Sequence, residues 1–180
     1  MDFLCHYDSP FGGITLGSDG EALIGVWFDG QRYFGDAFVD EPRRRALPIF
    51  DVVRRWLDDY FAGNRPVREF PITMRTTPFR RVVWELMAEI GYGETRTYGE
   101  LARAAASRLG KPIVSAQAVG GAVGRNSFSI VIPCHRVVGS GRRLVGYAAG
   151  LEIKARLLAH EGVDVQEFSP KINVEFPSFQ

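Results

Sequence analysis

Cys134 lies between Pro133 and His135 in the run Ile132-Pro133-Cys134-His135-Arg136-Val137. A cysteine attacks electrophiles as its thiolate, and a nearby imidazole can take the proton directly or through one water. Adjacency in sequence does not establish contact, and a buried inert thiol beside a structural histidine is the plainer alternative. The preceding apolar residues Ser129-Ile130-Val131-Ile132 read as a buried strand. Proline ends ladder pairing, so Cys134 is expected at a strand end where a cavity can open. The only other cysteine, Cys5, is far away in different surroundings, which excludes a disulfide framework. Cys5 and His6 supply too few ligands for a metal, so none is expected and Cys5 reads as a strand residue.

The elements that must position this thiol fall into two groups. Residues 3–8, 13–18 and 22–28 are short β-branched or aromatic runs separated by Pro10, Gly12, Gly13, Asp19 and Gly20, and they predict a small antiparallel sheet. Ile49, Val52, Val53, Trp56, Leu57 and Tyr60 follow helical spacing after Pro48, predicting a helix packed on that sheet. Gly63 to Pro78 lacks helical period and places a domain boundary near residue 76. Thr77 and Pro78 then open a helix with the apolar face Phe79, Val82, Val83, Leu86 and Ile90, ended by Gly91. Thr97-Tyr98-Gly99-Glu100 has the spacing of a capping box for a second helix.

A turn at residues 108–112 leads into a third helix over 115–124, and two short helices joined by a tight turn suggest helix-turn-helix. That third helix is built of small residues, with Gly120, Gly121 and Gly124 inside it. Each glycine costs roughly 1 kcal/mol relative to alanine in a helix interior, so another backbone or a ligand is expected to come close there. Tight packing on a neighbouring helix and approach to a nucleic-acid groove are equally good accounts at this point.

Net charge is only +1, but its distribution is uneven. Residues 1–74 carry 8 basic and 12 acidic side chains, residues 75–160 carry 13 and 5, and residues 161–180 carry 1 and 4. A basic block between acidic ends fits a phosphate-binding module on a scaffold, although a solvated charged surface gives the same pattern. No window has the apolar length to cross a bilayer and the N-terminus does not read as a secretory signal, so a cytoplasmic protein without membrane contact is expected.

Pro133-Cys134-His135-Arg136-Val137 resembles the active-site motif of the O6-alkylguanine-DNA alkyltransferases, or methylated-DNA:protein-cysteine methyltransferases. The resemblance runs from Thr77 to Gly162. It includes Thr97-Tyr98-Gly99, Ala118-Val119-Gly120-Gly121-Ala122, Asn126, Gly146-Tyr147-Ala148 and Leu157-Leu158-Ala159-His160-Glu161-Gly162, while the N-terminal half matches in layout only. It implies an α+β protein. A small N-terminal sheet with a helix in a ribonuclease H-like layout (1–76) would precede a mainly helical domain with a winged helix-turn-helix (77–163) and a C-terminal extension (164–180).

The implied activity is direct-reversal DNA repair. A methyl or small alkyl group moves irreversibly from O6 of a flipped guanine to Cys134, in a single turnover that needs no cofactor. The implied relay runs Cys134, water, His135, Glu161, with Glu161 orienting and charging the imidazole. Glu161 would end the helix Leu151–Glu161, where the negative helix terminus disfavours an anion and a cationic partner would offset that cost. By the same resemblance Asn126 buttresses the turn presenting the cysteine, and Tyr98 assists nucleotide rotation and donates toward the base. Backbone carbonyls of Cys134 and Val137 take the guanine amine, the Ala148 N–H takes O6, and Tyr147 forms a wall.

The implied partner is double-stranded DNA bearing O6-alkylguanine, with O4-alkylthymine a further candidate, bound by a monomer through the minor groove. Gln117, Ala118, Gly120 and Gly121 would enter the groove, and Arg125, Arg136, Lys111 and Arg103 would hold phosphates. Two positions depart from the family pattern. Gln117 stands where an arginine usually fills the gap left by the extruded base. Ala149 stands where glycine is usual, and its methyl is expected to crowd the alkyl pocket and slow bulky groups such as benzyl. The alternative is a lesion-binding protein of the same fold that does not transfer the alkyl group. Such proteins lack the nucleophile, usually carrying tryptophan in its place, and Cys134 argues against that reading. A helix-turn-helix regulator and a cysteine hydrolase are more distant readings.

Overall fold

The computed structural model describes residues 1–172 and Val174. The described chain forms two compact units: residues 1–75 with 127–131, and residues 76–126 with the described residues from 132 onward. The first combines a sheet with a helix and the second is mainly helical, in the manner expected.

In the first unit, β1 (Phe3–Ser9), β2 (Gly12–Ser18) and β3 (Leu23–Phe28) form an antiparallel meander, and the two-residue β4 (Arg43–Arg44) adds parallel to β1, giving the order β3-β2-β1-β4. The sheet is therefore mixed rather than purely antiparallel. Cys5 lies in β1, as its surroundings predicted. Ile14, Leu16, Leu23, Ile24 and Val26 are fully buried. Helix α1 (Pro48–Phe61) starts with proline in its first turn and buries Ile49, Phe50, Val53, Leu57, Tyr60 and Phe61. It packs on β1 and β2, where Phe61 meets Tyr7 and Phe11 and the Tyr7 hydroxyl donates to Asp58.

The outer edge of β3 would expose unpaired backbone groups. Two short segments cover it: Leu23 bridges to Ile72 and Val26 bridges to Phe128. The second bridge corrects the sequence reading of residues 129–132. They form no strand: Val26 N–H donates to Ser127 O, Ser129 N–H donates to Val26 O, and the chain then turns away. A short continuous apolar run signals burial and not secondary structure, and these residues are indeed buried.

In the second unit, α2 (Pro78–Ala88), α3 (Tyr98–Arg108) and α4 (Ala116–Gly124) pack against one another. Thr77 caps α2, the complete capping box of Thr97 and Glu100 opens α3, and Ser115 caps α4. Helix α2 ends at Ala88, one turn before Gly91. Trp84 ties α2 to α4 by donating its indole N–H to the Ala122 carbonyl at 2.9 Å. A 3-10 turn at Cys134–Arg136 leads into β6 (Val137–Val138), which pairs in parallel with β5 (Arg96–Thr97). A tight hairpin bridging Gly139 and Arg143 follows, and then α5 (Leu151–His160).

The segment after Gly162 is not a free extension over its described part. Val165 and Phe168 are buried with Val138, Leu144, Ala155 and Leu158, and Ile172 and Val174 pack against that cluster. Asn173 and residues 175–180, including Pro177 of the expected tail, lie outside the described residues.

Candidate active site

Cys134 is presented by a loop that opens at Asn126 and closes on it. Pro133, with φ −80° and ψ 68°, is the centre of an inverse γ-turn in which Cys134 N–H donates to Ile132 O at 2.8 Å. Proline suits that position because its ring already fixes φ. The thiol thus sits at the first residue of a 3-10 turn and not at a strand end. The Asn126 carboxamide donates to Ile132 O at 2.7 Å and to Cys134 Sγ at 3.1 Å, so one side chain closes the loop and solvates the sulfur.

His135 and Glu161 are brought together across the unit. His135 Nε2 meets Glu161 Oε1 at 2.6 Å, with both side chains fully buried. A carboxylate only accepts, so the ring proton resides on Nε2 and Nδ1 is the acceptor. Nδ1 is buried without a hydrogen-bond partner among the described residues. Burial pushes the His135 pKa down, against the upward pull of Glu161. That direction favours the neutral ring over the charged one that the family resemblance implies. A neutral ring is the form that can accept a proton.

The cation that neutralises Glu161 is Arg136. Its Nε donates to Oε2 at 2.8 Å, its Nη2 to Oε1 at 3.0 Å and its Nη1 to Ile90 O at 2.5 Å, and its guanidinium lies over the Tyr92 ring. The Gly93 N–H adds a bond to Oε2 at 3.1 Å. Gly93 has φ +75°, and a Cβ there would lie 2.9 Å from the Glu161 carbonyl oxygen, so a side chain is excluded twice over. Burial alone would raise the Glu161 pKa, but the bonds from His135 and Arg136 override it and hold the carboxyl well below the usual carboxylate range. Arg136, with a side chain only 11% exposed and its donors committed, is a structural partner of Glu161 and not a free phosphate contact. The sequence could not separate these roles, because arginine serves both and its partner lies 25 residues away.

A further residue, Lys154 on α5, escaped the sequence reading. It is fully buried, and Nζ donates to Val137 O, to Val145 O at 2.8 Å and to Gly146 O at 3.1 Å. It ties the strand after the cysteine turn to the loop before α5. Burial lowers its pKa to about 8, partly countered by the Cys134 charge. For the thiol, burial pushes the pKa up, while the Asn126 amide, the Lys154 ammonium and the Tyr147 hydroxyl pull it down. The available signal was a lysine on the apolar face of a helix, with Ala155, Leu157 and Leu158 as buried companions.

Tyr98, the first residue of α3, donates its hydroxyl to Val145 O at 3.2 Å. Burial and the neighbouring Cys134 charge push its pKa up to about 12, so it keeps its proton. Val137 is buried, and Tyr147, Ala148 and Ala149 are half-buried in the loop before α5. The Val137 carbonyl already accepts from Lys154, and the Cys134 carbonyl accepts from Val137 N–H; each keeps a second lone pair for a ligand.

Helix α4 buries Val119, Ala122 and Val123 and exposes Gln117, Ala118 and Gly121. A Cβ on Gly121 or Gly124 would meet nothing within 4 Å, and one on Gly120 would only reach ordinary contact with the Tyr98 ring. Packing within the protein therefore does not require these glycines, which leaves approach of an outside partner as the better account. Lys111 and Arg103 line a 300 Å³ cavity with Pro112 and Ile113, and Arg125 is the half-buried C-cap of α4.

The family models for the 6-O-methylguanine DNA methyltransferase ribonuclease-like domain and DNA-binding domain match residues 5–74 and 78–163. The chain belongs to the 6-O-methylguanine DNA methyltransferase family. The methylated-DNA–protein-cysteine methyltransferase of Methanosarcina acetivorans is 40% identical, over 87% of this chain and 96% of its own. That of Haemophilus influenzae is 38% identical, over 89% and 87%. Among solved structures, Mycobacterium tuberculosis OGT in complex with DNA is similar with a TM-score of 0.72 and 33% identity, covering 89% of this chain and 93% of that one. Membership of the methyltransferase family and the α+β fold bear out the expectation drawn from the motifs around Cys134. Matching both halves also extends the likeness to residues 5–74, where the sequence had offered layout alone.

Proposed function

We propose that this protein repairs alkylated DNA by moving a methyl or small alkyl group from O6 of guanine onto Sγ of Cys134, once per molecule. The observation that carries this reading is the Cys134 thiol bonded to Asn126 and followed in the chain by a buried, Glu161-bound His135, in a chain whose relatives bear the name of that activity. His135 Nδ1 takes the thiol proton directly or through one water. The thiolate then attacks the alkyl carbon, the S–C bond forms as the C–O6 bond breaks, and the bond electrons leave with the base. Tyr98 keeps its proton near neutrality and is the candidate donor toward the departing guanine.

A thioether is stable and neither the motif nor the site supplies a second thiol to release it, so the protein is consumed stoichiometrically. The target atom is inaccessible in a stacked duplex, so the nucleotide must be flipped out, with the exposed small face of α4 in the minor groove. Arg103, Lys111 and Arg125 are the candidates for phosphate contact, and a monomer suffices for every step. The test is the mass of the intact protein and of the Cys134 peptide after mixing with a duplex containing O6-methylguanine. One added methyl on Cys134, stopping at one equivalent and absent in Cys134→Ala, is expected. Binding without a mass change would instead mean a lesion-binding protein.

A further inference from the structure

The loop that delivers Cys134 has its far end held within the first unit, by side chains that the family motif does not include. Residues 127–131 belong to that unit, while Asn126 before them and Ile132 after them belong to the unit that carries the site. Gln31 Oε1 accepts from Phe28 N–H at 2.8 Å and from the Ser129 hydroxyl at 3.0 Å, and Asp36 Oδ1 accepts from the Ser127 hydroxyl at 3.0 Å. Gln31, Ser127 and Ser129 are all buried, so each unmade bond would leave a polar atom without water.

Between these anchors and the cysteine lies a strained residue. Ile130 has φ +69°, and Val131 N–H donates to Ser129 O at 2.8 Å across it, which makes Ile130 the centre of a γ-turn with positive central φ. That turn is rare and strained, and a β-branched residue tolerates it least. Such a conformation persists only where its surroundings hold it. Ile130 is 2% exposed, with Ser127 and Ser129 fixed on one side and Asn126 closing the loop on the other. The inverse γ-turn at Pro133 follows within three residues and sets the Cys134 backbone.

We infer that Gln31, through Ser129, is a positioning residue for Cys134: it holds the Ile130 turn, and that turn fixes where the thiol stands against the Asn126 amide. Releasing the anchor lets Ile130 relax to negative φ, which shortens or swings the path to Ile132 and draws Sγ off Asn126. Two consequences follow together, a misplaced nucleophile and a thiolate that has lost a hydrogen-bond donor. Asp36 and Ser127 act on the same segment one residue earlier.

The inference rests on Cys134 as the acceptor for its kinetic readout but not for its second readout. Gln31→Met, Ser129→Ala and the double variant are compared with wild type in two assays: single-turnover methyl transfer from saturating O6-methylguanine duplex, and the pH profile of Cys134 reaction with iodoacetamide, located by peptide mass. Transfer is expected to slow by about ten- to a hundred-fold, the scale that ångström misplacement produces. Duplex affinity stays within about twofold, the thiol midpoint moves to higher pH, and the double variant is no worse than Gln31→Met, because both remove one interaction. Gln31→Glu, which keeps an acceptor for both donors, restores most of the rate. An unchanged thiol midpoint in Gln31→Met, or additive losses in the double variant, would overturn the inference even where the variants are less stable. Absence of methyl transfer in wild type would sink the repair reading alone, since the iodoacetamide profile still reports the anchor.

Discussion

Replacing Lys154 with methionine isolates the charge that the structure places beside the thiol. Methionine keeps the unbranched length of the side chain, so the core around Ala155, Leu157 and Leu158 stays filled. Two stability effects oppose each other. Holding the ammonium in this site lowers its pKa from 10.5 to about 8, a cost of about 3 kcal/mol at 1.36 kcal/mol per unit, which methionine removes. Methionine also leaves the carbonyls of Val137, Val145 and Gly146 without their donor, at about 1–3 kcal/mol for each one that water cannot reach. The Val145 and Gly146 carbonyls belong to half-buried or exposed residues and can recruit water, so the net loss is expected to be at most about 2 kcal/mol. The effect on chemistry is larger. A single opposite charge nearby typically shifts a pKa by about one to three units. Losing it is expected to raise the Cys134 pKa further and to slow transfer at neutral pH about tenfold or more, with much of the rate recovered as pH rises. In wild type Lys154 itself discharges as pH passes about 8, so its help to the thiolate fades above that pH, and the variant and wild-type profiles should converge there. The assay is the single-turnover rate of methyl transfer against pH, beside thermal unfolding of both proteins. Parallel pH profiles, with a rate loss that does not diminish at high pH, would show that Lys154 acts only as a structural tie.

Arg136→Met should leave affinity for undamaged duplex and its salt dependence unchanged, while methyl transfer falls about tenfold or more; a salt slope reduced by about one would mean that Arg136 holds a phosphate after all. For Glu161 the folded-state pKa lies below the unfolded value, so its contribution to stability is present above the unfolded pKa of about 4.3 and is lost as pH falls through the folded value. Wild type is therefore expected to lose thermal stability between about pH 5 and lower values, and Glu161→Gln to show a flatter dependence in the same scans; identical curves would count against the ion-paired carboxylate. Gln117→Arg, on the exposed face of α4, should strengthen binding to lesion-bearing duplex in a titration, and no gain would remove position 117 from the extrusion step.

What the sequence made legible and what it hid divide along the range of the interactions involved. Helix starts are local, decided within four residues: Thr77 and Thr97 cap their helices as the spacing said, and Ser115, read as the first residue of the third helix, is its cap. The pairing of His135 with Glu161 was accessible only through family resemblance, because no local rule joins residues 26 positions apart. Arg136 was misread for the same reason: its type suits phosphate and carboxylate equally, and only the fold reveals that Glu161, Ile90 and Tyr92 already surround it. The error at residues 129–132 is more instructive. Apolarity at consecutive positions reports that a segment is buried, and a strand satisfies its backbone in the commonest way, but the chain here uses two γ-turns and a single bridge to Val26. A strand would have carried the thiol on in a straight line. Turning the chain at Ile130 and again at Pro133 lets Asn126, eight residues before the cysteine, reach its sulfur. The local departure from regular structure is thus what brings the Asn126 amide to the thiol, and the anchor inferred for it at Gln31 carries no chemical signature of its own.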